Sequence, residues 1–276
     1  MVADDIVALV IDKKELRGVS KKLAARLTEE WLTRNEDVRE TYHQNPERFT
    51  RRTEYEKLRS EVREQLRKIY GVFFTHRYAS KKEKYVKKLI ETGDEQARQD
   101  LLNLHRSSKE RLTQYPFLYS QLFDISGTPT SVLDLGCGFN PFAYQYLGCT
   151  PEYHTADIAC DDAQLIDSYL ESLGIQHSSH CIDLSNAEAV KQLPAVDIAF
   201  AFKLFDSLED LNYGIAQEML NTIPADILIA SFPTKSIGQH KTLRPRKWFE
   251  EIIADKLLGE VTLANEQFYV ITLSGK

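Results

Sequence analysis

Gly136 and Gly138 sit one residue apart, after the stretch Val132-Leu133-Asp134-Leu135 and before Asn140-Pro141. Three apolar residues around a single Asp read as a short buried strand. Glycines at that spacing let the backbone turn tightly and come close to a ligand. Asn140 is placed to cap a following helix and Pro141 to begin it. A strand, a glycine turn and a helix start make a site suited to a nucleotide-type ligand. The third glycine of the dinucleotide fingerprint is missing. A purely structural corner is the alternative reading, and the glycine spacing argues against it.

In doubly wound sheets the ligand lies beyond the carboxyl ends of the strands. Four further strand ends are therefore expected to face the glycine turn. Asp157, followed by Ile158, ends a second strand about twenty residues past Gly138, where an acid can accept from both hydroxyls of a ribose. The same Asp could instead cap the next segment. Asp183 and Leu184 end a third strand, with Asp suited to an exocyclic amino group and Leu to the face of a purine. Lys203 and Leu204 follow a fourth; a lone loop lysine is as readily just solvated. Ser231-Phe232-Pro233-Thr234-Lys235-Ser236 ends a fifth. Phe232 there is read either as a platform for a flipped base or as a core aromatic. No Ser-His-Asp order, glutamate pair or metal-ligand set stands out. His154, His177 and His180 are scattered, which favours structural roles.

The elements that must position these residues alternate after Gly127. Strands are expected at 131–135, 152–156, 178–183, 196–201, 226–231, 258–264 and 267–273, and helices at 141–147, 161–173, 207–222 and 245–255. Repeated βα units call for a parallel sheet covered by helices on both faces. The last two strands, joined by a short turn near Asn265, form an antiparallel hairpin, because so short a link cannot serve a parallel pair. Residues 1–92 read as helical. Ser20 is a possible cap for a helix carrying Leu23, Leu27 and Trp31, and Pro46 interrupts the pattern. Tyr55, Leu58, Val62, Leu66 and Ile69 form one apolar stripe, with Gly71 as its stop. Gly93-Asp94 marks the expected boundary between a helical domain, 1–92, and an α/β domain, 93–276.

Charge is divided unevenly. The net charge is −6, yet residues 1–120 carry 26 lysines and arginines against 20 acids, and the remainder 9 against 21. A basic arm on an acidic body follows. Arg51 to Leu89 holds 13 basic and 5 acidic residues, among them Arg59, Arg63 and Arg67 at i, i+4 spacing and Lys81, Lys82, Lys84, Lys87 and Lys88. Such a face would bind RNA in a salt-dependent way; a solvated helix surface is the other reading. No apolar run approaches the roughly 20 residues of a membrane span. With no apolar leader and no Cys-x-x-Cys pair, a cytoplasmic protein with Cys137, Cys149, Cys160 and Cys181 reduced is expected.

Asp-x-Gly-x-Gly after a strand resembles motif I of the S-adenosylmethionine methyltransferases. The fuller set, Gly136-Cys137-Gly138-Phe139-Asn140-Pro141, the His105 to Arg111 polar cluster and Ser231-Phe232-Pro233-Thr234-Lys235-Ser236, resembles the aminoglycoside-resistance 16S rRNA guanine-N7 methyltransferases, the Arm/Rmt group. That resemblance implies a class I methyltransferase fold of Rossmann-like type, preceded by a helical domain that docks on the small ribosomal subunit. It implies S-adenosylmethionine held by His105, Ser107, Arg111, Asp134, Gly136, Gly138, Asn140, Pro141, Asp157, Ile158, Asp183, Leu184, Lys203 and Leu204. Arg111 would take the methionine carboxylate. Phe232, Lys235 and Ser236 would position a decoding-centre guanine, with no general base. A monomer is expected. A methyltransferase for another rRNA or tRNA site, or an inactive RNA-binding relative, fits the same motifs.

Overall fold

A computed structural model of the chain describes residues 4–13, 16, 19–69, 78–236, 241–263 and 265–273. Its centre is a seven-stranded sheet of β1 (Ser131–Leu135), β2 (Glu152–Asp157), β3 (His177–Cys181), β4 (Val196–Phe202), β5 (Ala225–Pro233), β6 (Leu257–Leu263) and β7 (Glu266–Thr272). The order across the sheet is β3-β2-β1-β4-β5-β7-β6. The first five strands pair in parallel, and β7 runs antiparallel to both β5 and β6. This is the class I methyltransferase arrangement implied by the resemblance. Strand order reverses between β1 and β4, which opens a crevice at their carboxyl ends. Each strand begins and ends within two residues of its expected limits.

The helices run, in chain order, α1 (Asp4–Val10), α2 (Lys21–Arg34), α3 (Glu36–Gln44), α4 (Pro46–Phe49), α5 (Thr53–Ile69), α6 (Tyr78–Thr92), α7 (Glu95–Leu102), α8 (Arg106–Arg111) and α9 (Tyr115–Ser126). Within the sheet domain lie a 3-10 helix (Asn140–Leu147), α10 (Cys160–Ser172), α11 (Ala187–Val190), α12 (Phe205–Glu209), α13 (Ile215–Thr222) and α14 (Lys247–Ile253). The single helix expected over 207–222 is thus two. Gly214, at φ +89°, breaks it, and the Glu209 carboxylate accepts from the Gly214 and Ala216 amides at 2.8 Å each. That carboxylate satisfies N–H groups left open at the start of α13. Gly71, the expected stop of α5, lies outside the described residues.

Apolar packing divides into three bodies. One covers the sheet face toward α9, the 3-10 helix and α10. A second covers the face toward α12, α13 and α14. The third joins α1 through α5, with Leu23, Leu27, Trp31, Tyr55, Leu58, Val62 and Leu66 buried together. Val86 and Leu89 of α6 pack with Leu101 and Phe139 on the sheet domain. The apolar side of α6 is thus part of the packing on the sheet. Among the described residues no helix is long and apolar enough to cross a membrane.

One cysteine expectation is corrected. Cys160 and Cys181 are joined as a disulfide, with Cα atoms 5.0 Å apart. Parallel pairing sets Asp157 opposite Cys181, and α10 starts three residues after Asp157, so the two thiols are brought within bonding reach. Cys137 and Cys149 are free.

Candidate active site

The glycine turn adopts the backbone its composition calls for. Gly136 and Gly138 have φ of +64° and +48°, a region that side chains disfavour. The Gly138 amide donates to Asp157 Oδ2 at 2.9 Å, while Asp157 Oδ1 accepts from Ala159 N at 2.8 Å. Asp157 thus ties the turn to β2 and also caps the segment after it. Its burial pushes its carboxyl upward, against the amides of Gly138 and Ala159. Asn140 does not cap a helix as expected; Phe139 holds that position. The Asn140 side chain donates to Asp134 Oδ2 at 2.8 Å and accepts from the hydroxyls of Tyr115 and Tyr119 at 3.1 and 2.9 Å. Tyr153 donates a further bond to Asp134, at 2.7 Å.

Beyond the strand ends lies a cleft of about 890 Å³, part of it open to solvent. Its walls include His105, Ser107, Arg111, Asp134, Gly136, Gly138, Asn140, Asp157, Ile158, Asp183, Leu184, Lys203 and Leu204. Pro141 does not line the cleft; it is buried in the 3-10 helix behind the turn. Sequence reasoning missed Leu23, Phe202, Ser207, Leu208 and Leu211, which supply apolar and hydroxyl wall. It also missed Glu266. Arg111 Nε and Nη2 fork onto the Glu266 carboxylate, the shortest contact being 2.7 Å, with both side chains about 95% buried. Lys203 Nζ lies 2.6 Å from Glu110 Oε2 and 3.3 Å from Glu266 Oε2. Burial opposes the Arg111 charge, but Glu266 outweighs it and holds the guanidinium above its ordinary value. Burial likewise raises Glu266, and Arg111 and Lys203 more than reverse this.

These walls suit an adenosyl amino acid. A Cβ placed on Gly138 would stand 2.7 Å from His105 Nε2, so only glycine leaves the turn its close approach. Arg111 lines the cleft, and its guanidinium carries five N–H donors in all. Asp157 and Asp183 place carboxylates at the ends of adjacent strands, and Leu184 and Leu204 offer flat apolar contact.

Two buried groups give the fold opposing pH slopes. Burial, then the charges of Arg111 and Lys203, push His105 down to about 3. Burial pushes Asp134 up to about 6, partly offset by the bonds from Tyr153 and Asn140. Below its ordinary value His105 protonates only on unfolding, so its contribution to stability falls as pH drops. Asp134 protonates more readily in the fold, so its contribution rises. At about pH 5 the histidine costs roughly 2 kcal/mol and the aspartate returns roughly 1 kcal/mol, relative to about pH 7.5. Urea denaturation at both pH values is expected to show a small net loss for the native chain. His105→Gln is expected to gain stability on acidification, and Asp134→Asn to lose about 2 kcal/mol.

The residues expected to position a base are not brought to this cleft. β5 runs two residues past its expected end, so Phe232 still pairs with Gln267 inside the sheet. Its ring is 3% exposed and packs against Phe205, Trp248, Phe249 and Tyr269. It has no free face on which a base could stack, which corrects that expectation. Lys235 is exposed and pairs with Thr242 in a small hairpin beyond β5, where Ser236 Oγ accepts from Lys241 N at 3.1 Å.

The basic stripe is corrected in two places. Arg63 is 6% exposed. It donates to the carbonyls of Leu9 and Val10 at 2.7 and 2.8 Å and pairs with Asp12, satisfying the open end of α1. Lys82 is turned inward onto Asp162, 2.6 Å away and almost fully buried. Arg59 is half-buried beside Glu56, and Lys81 is half-buried. Arg67, Lys84, Lys87 and Lys88 are exposed, with Lys87 and Lys88 near Glu91 and Asp94.

Comparison with known proteins agrees with this geometry. The chain is 30% identical over 222 residues to the 16S rRNA (guanine(1405)-N(7))-methyltransferase of Micromonospora rosea, covering 75% of this chain and 79% of that one. It is 26% identical to the enzyme of the same name from Proteus mirabilis, covering 82% and 88%. The crystal structure of the 16S rRNA methyltransferase RmtF in complex with S-adenosyl-L-homocysteine superposes with a TM-score of 0.77 at 25% identity, covering 97% of this chain and 96% of that one. A family profile described as ribosomal RNA methyltransferase (FmrO) matches residues 38–266. The chain belongs to the FmrO family of ribosomal RNA methyltransferases.

Proposed function

We propose that this S-adenosylmethionine-dependent enzyme methylates N7 of the 16S rRNA guanine that corresponds to position 1405 in its relatives. The observation that carries the reading is the cleft itself: a glycine turn, two strand-end carboxylates and a buried Arg111 gathered around one crevice. In this reading Arg111 holds the methionine carboxylate, Asp157 the ribose, and Asp183 with Leu184 the adenine. When bound, S-adenosylmethionine supplies an electrophilic methyl group on a sulfonium sulfur. The protein's work is then alignment and exclusion of water. Guanine N7 carries a lone pair and no proton, so no side chain has to act as a base. Holding two reactants in line is worth effective molarities of roughly 10⁵–10⁸ M. The base must leave its stack at a cost of a few kcal/mol, which binding across the helical layer offsets.

Tritiated S-adenosylmethionine offered with small ribosomal subunits, free 16S rRNA and tRNA, side by side, tests this reading. Label in the small-subunit rRNA supports it; label confined to tRNA, or none, overturns it. The proposal extends to a monomer acting in the cytoplasm and to aminoglycoside resistance in cells that express it.

The exposed cations of α5 and α6 are the proposed rRNA-docking face. Lys84→Glu with Lys87→Glu is expected to weaken subunit binding at low salt at least tenfold. It should also reduce the slope of log affinity against log salt by about 1–2, as two phosphate contacts would. Arg63→Glu is expected to behave differently. It removes a buried bridge to α1, and its first effect is unfolding at lower urea concentration.

A further inference from the structure

Helix α2 belongs to the N-terminal layer, yet it forms a wall of the cofactor cleft. Leu23 lines the cleft. The Ser20 amide, just ahead of α2, donates to Ile158 O at 3.2 Å. Ala159 is buried in the N-terminal apolar cluster, and Ile158 packs against it. One turn after Leu23, Arg26 reaches across. Its Nε donates to Asp183 Oδ2 at 2.9 Å, its Nη2 to Ser185 Oγ at 2.9 Å and its Nη1 to Glu30 Oε1 at 2.6 Å. Asp183 Oδ1 accepts from the Ser185 amide and hydroxyl at 3.0 and 2.7 Å.

We propose that Arg26 is a positioning residue for purine recognition, fixing the Asp183 carboxylate so that one acceptor direction remains for the 6-amino group of adenine. A carboxylate offers about four lone-pair directions. Ser185 occupies two on Oδ1 and Arg26 one on Oδ2, leaving one on an oxygen whose orientation Arg26 sets. The planar fork suits this task, because Nε and Nη2 engage Asp183 and Ser185 together while Nη1 is held by Glu30 on the same helix. Arg26 itself touches no substrate. It acts through Asp183, and in doing so makes adenine recognition depend on a helix outside the sheet domain.

The proposal rests on the assignment of Asp183 to adenine, and the test separates the two. The full-length protein is titrated calorimetrically with S-adenosylhomocysteine and with S-inosylhomocysteine, in which a keto oxygen replaces the 6-amino group. The native chain is expected to prefer the adenosyl ligand. Arg26→Ala is expected to lose about tenfold in adenosyl affinity while inosyl affinity changes less than about twofold, the span of one hydrogen bond to a charged acceptor. Arg26→Lys, which keeps charge without the fork, is expected to fall between. Equal losses for both ligands in Arg26→Ala, or an undiminished preference for adenosyl, overturn the role given to Arg26. If Asp183→Asn retains the native preference, the adenine assignment fails and this proposal fails with it. Thermal melts of each variant identify any loss that is unfolding, and Arg26, with 38% of its side chain exposed, leaves the fold little at stake.

Discussion

Arg111→Ala is expected to abolish methyl transfer, lowering turnover at least a thousandfold, and to destabilise the fold by about 3–5 kcal/mol. Both effects come from one geometry. The guanidinium forks onto Glu266, stands 4.8 Å above the Phe202 ring and lines the cleft. Removing it leaves a buried carboxylate whose remaining partners are Lys203 and the Ser231 hydroxyl. Breaking a buried pair costs far more than replacing both members, because the orphaned charge stays desolvated. The effects can be separated. Arg111→Met with Glu266→Gln removes both charges and is expected to recover most of the stability in urea, yet none of the cofactor affinity by calorimetry. If the double variant binds S-adenosylmethionine as the native chain does, Arg111 has no part in holding it.

Gly138→Ala is expected to be the most damaging single-methyl addition in the cleft. The left-handed backbone costs about 1–2 kcal/mol for any side chain. The new methyl would also lie 2.7 and 2.8 Å from His105 Nε2 and Cε1. His105 is buried and stacked on Phe139, with ring centroids 5.9 Å apart, so it has little room to yield. Overpacking of this kind adds roughly 1–3 kcal/mol. Gly136→Ala meets only the tip of Leu204, at 2.9 Å, a flexible end that can move. Cofactor affinity is therefore expected to fall at least tenfold further in Gly138→Ala than in Gly136→Ala. Adding His105→Ala to Gly138→Ala is expected to restore part of the lost stability. Absence of that coupling would place the damage elsewhere.

The sheet was legible because its signals are local. The central strands β1, β4 and β5 are short apolar runs, and the glycine turn declares itself within ten residues. Of the fourteen residues expected to hold the cofactor, thirteen line one cleft, all but Pro141. What sequence missed depends on distant partners. Glu266 begins β7, and nothing in its neighbourhood announces Arg111, 155 positions earlier. Phe232 is aromatic at a strand end, but whether such a ring is free depends on α14 and β7 closing over it. Arg63 and Lys82 fit a basic stripe by spacing alone. The end of α1 and the start of α10 turn them into internal struts instead. Arg26 was invisible for the converse reason: α2 carries an ordinary apolar stripe, and only the packed structure sets its polar edge against Asp183.

A methyl group delivered to one ring nitrogen of one ribosomal guanine leaves a chemical mark that can be read directly. N7-methylguanine makes the RNA chain cleavable after borohydride and aniline treatment, so primer extension on 16S rRNA from treated small subunits locates it directly. One new stop is expected, at the guanine corresponding to position 1405 of its relatives, dependent on S-adenosylmethionine and lost in Arg111→Ala. A stop at any other nucleotide, or methylated rRNA that resists cleavage, would contradict it.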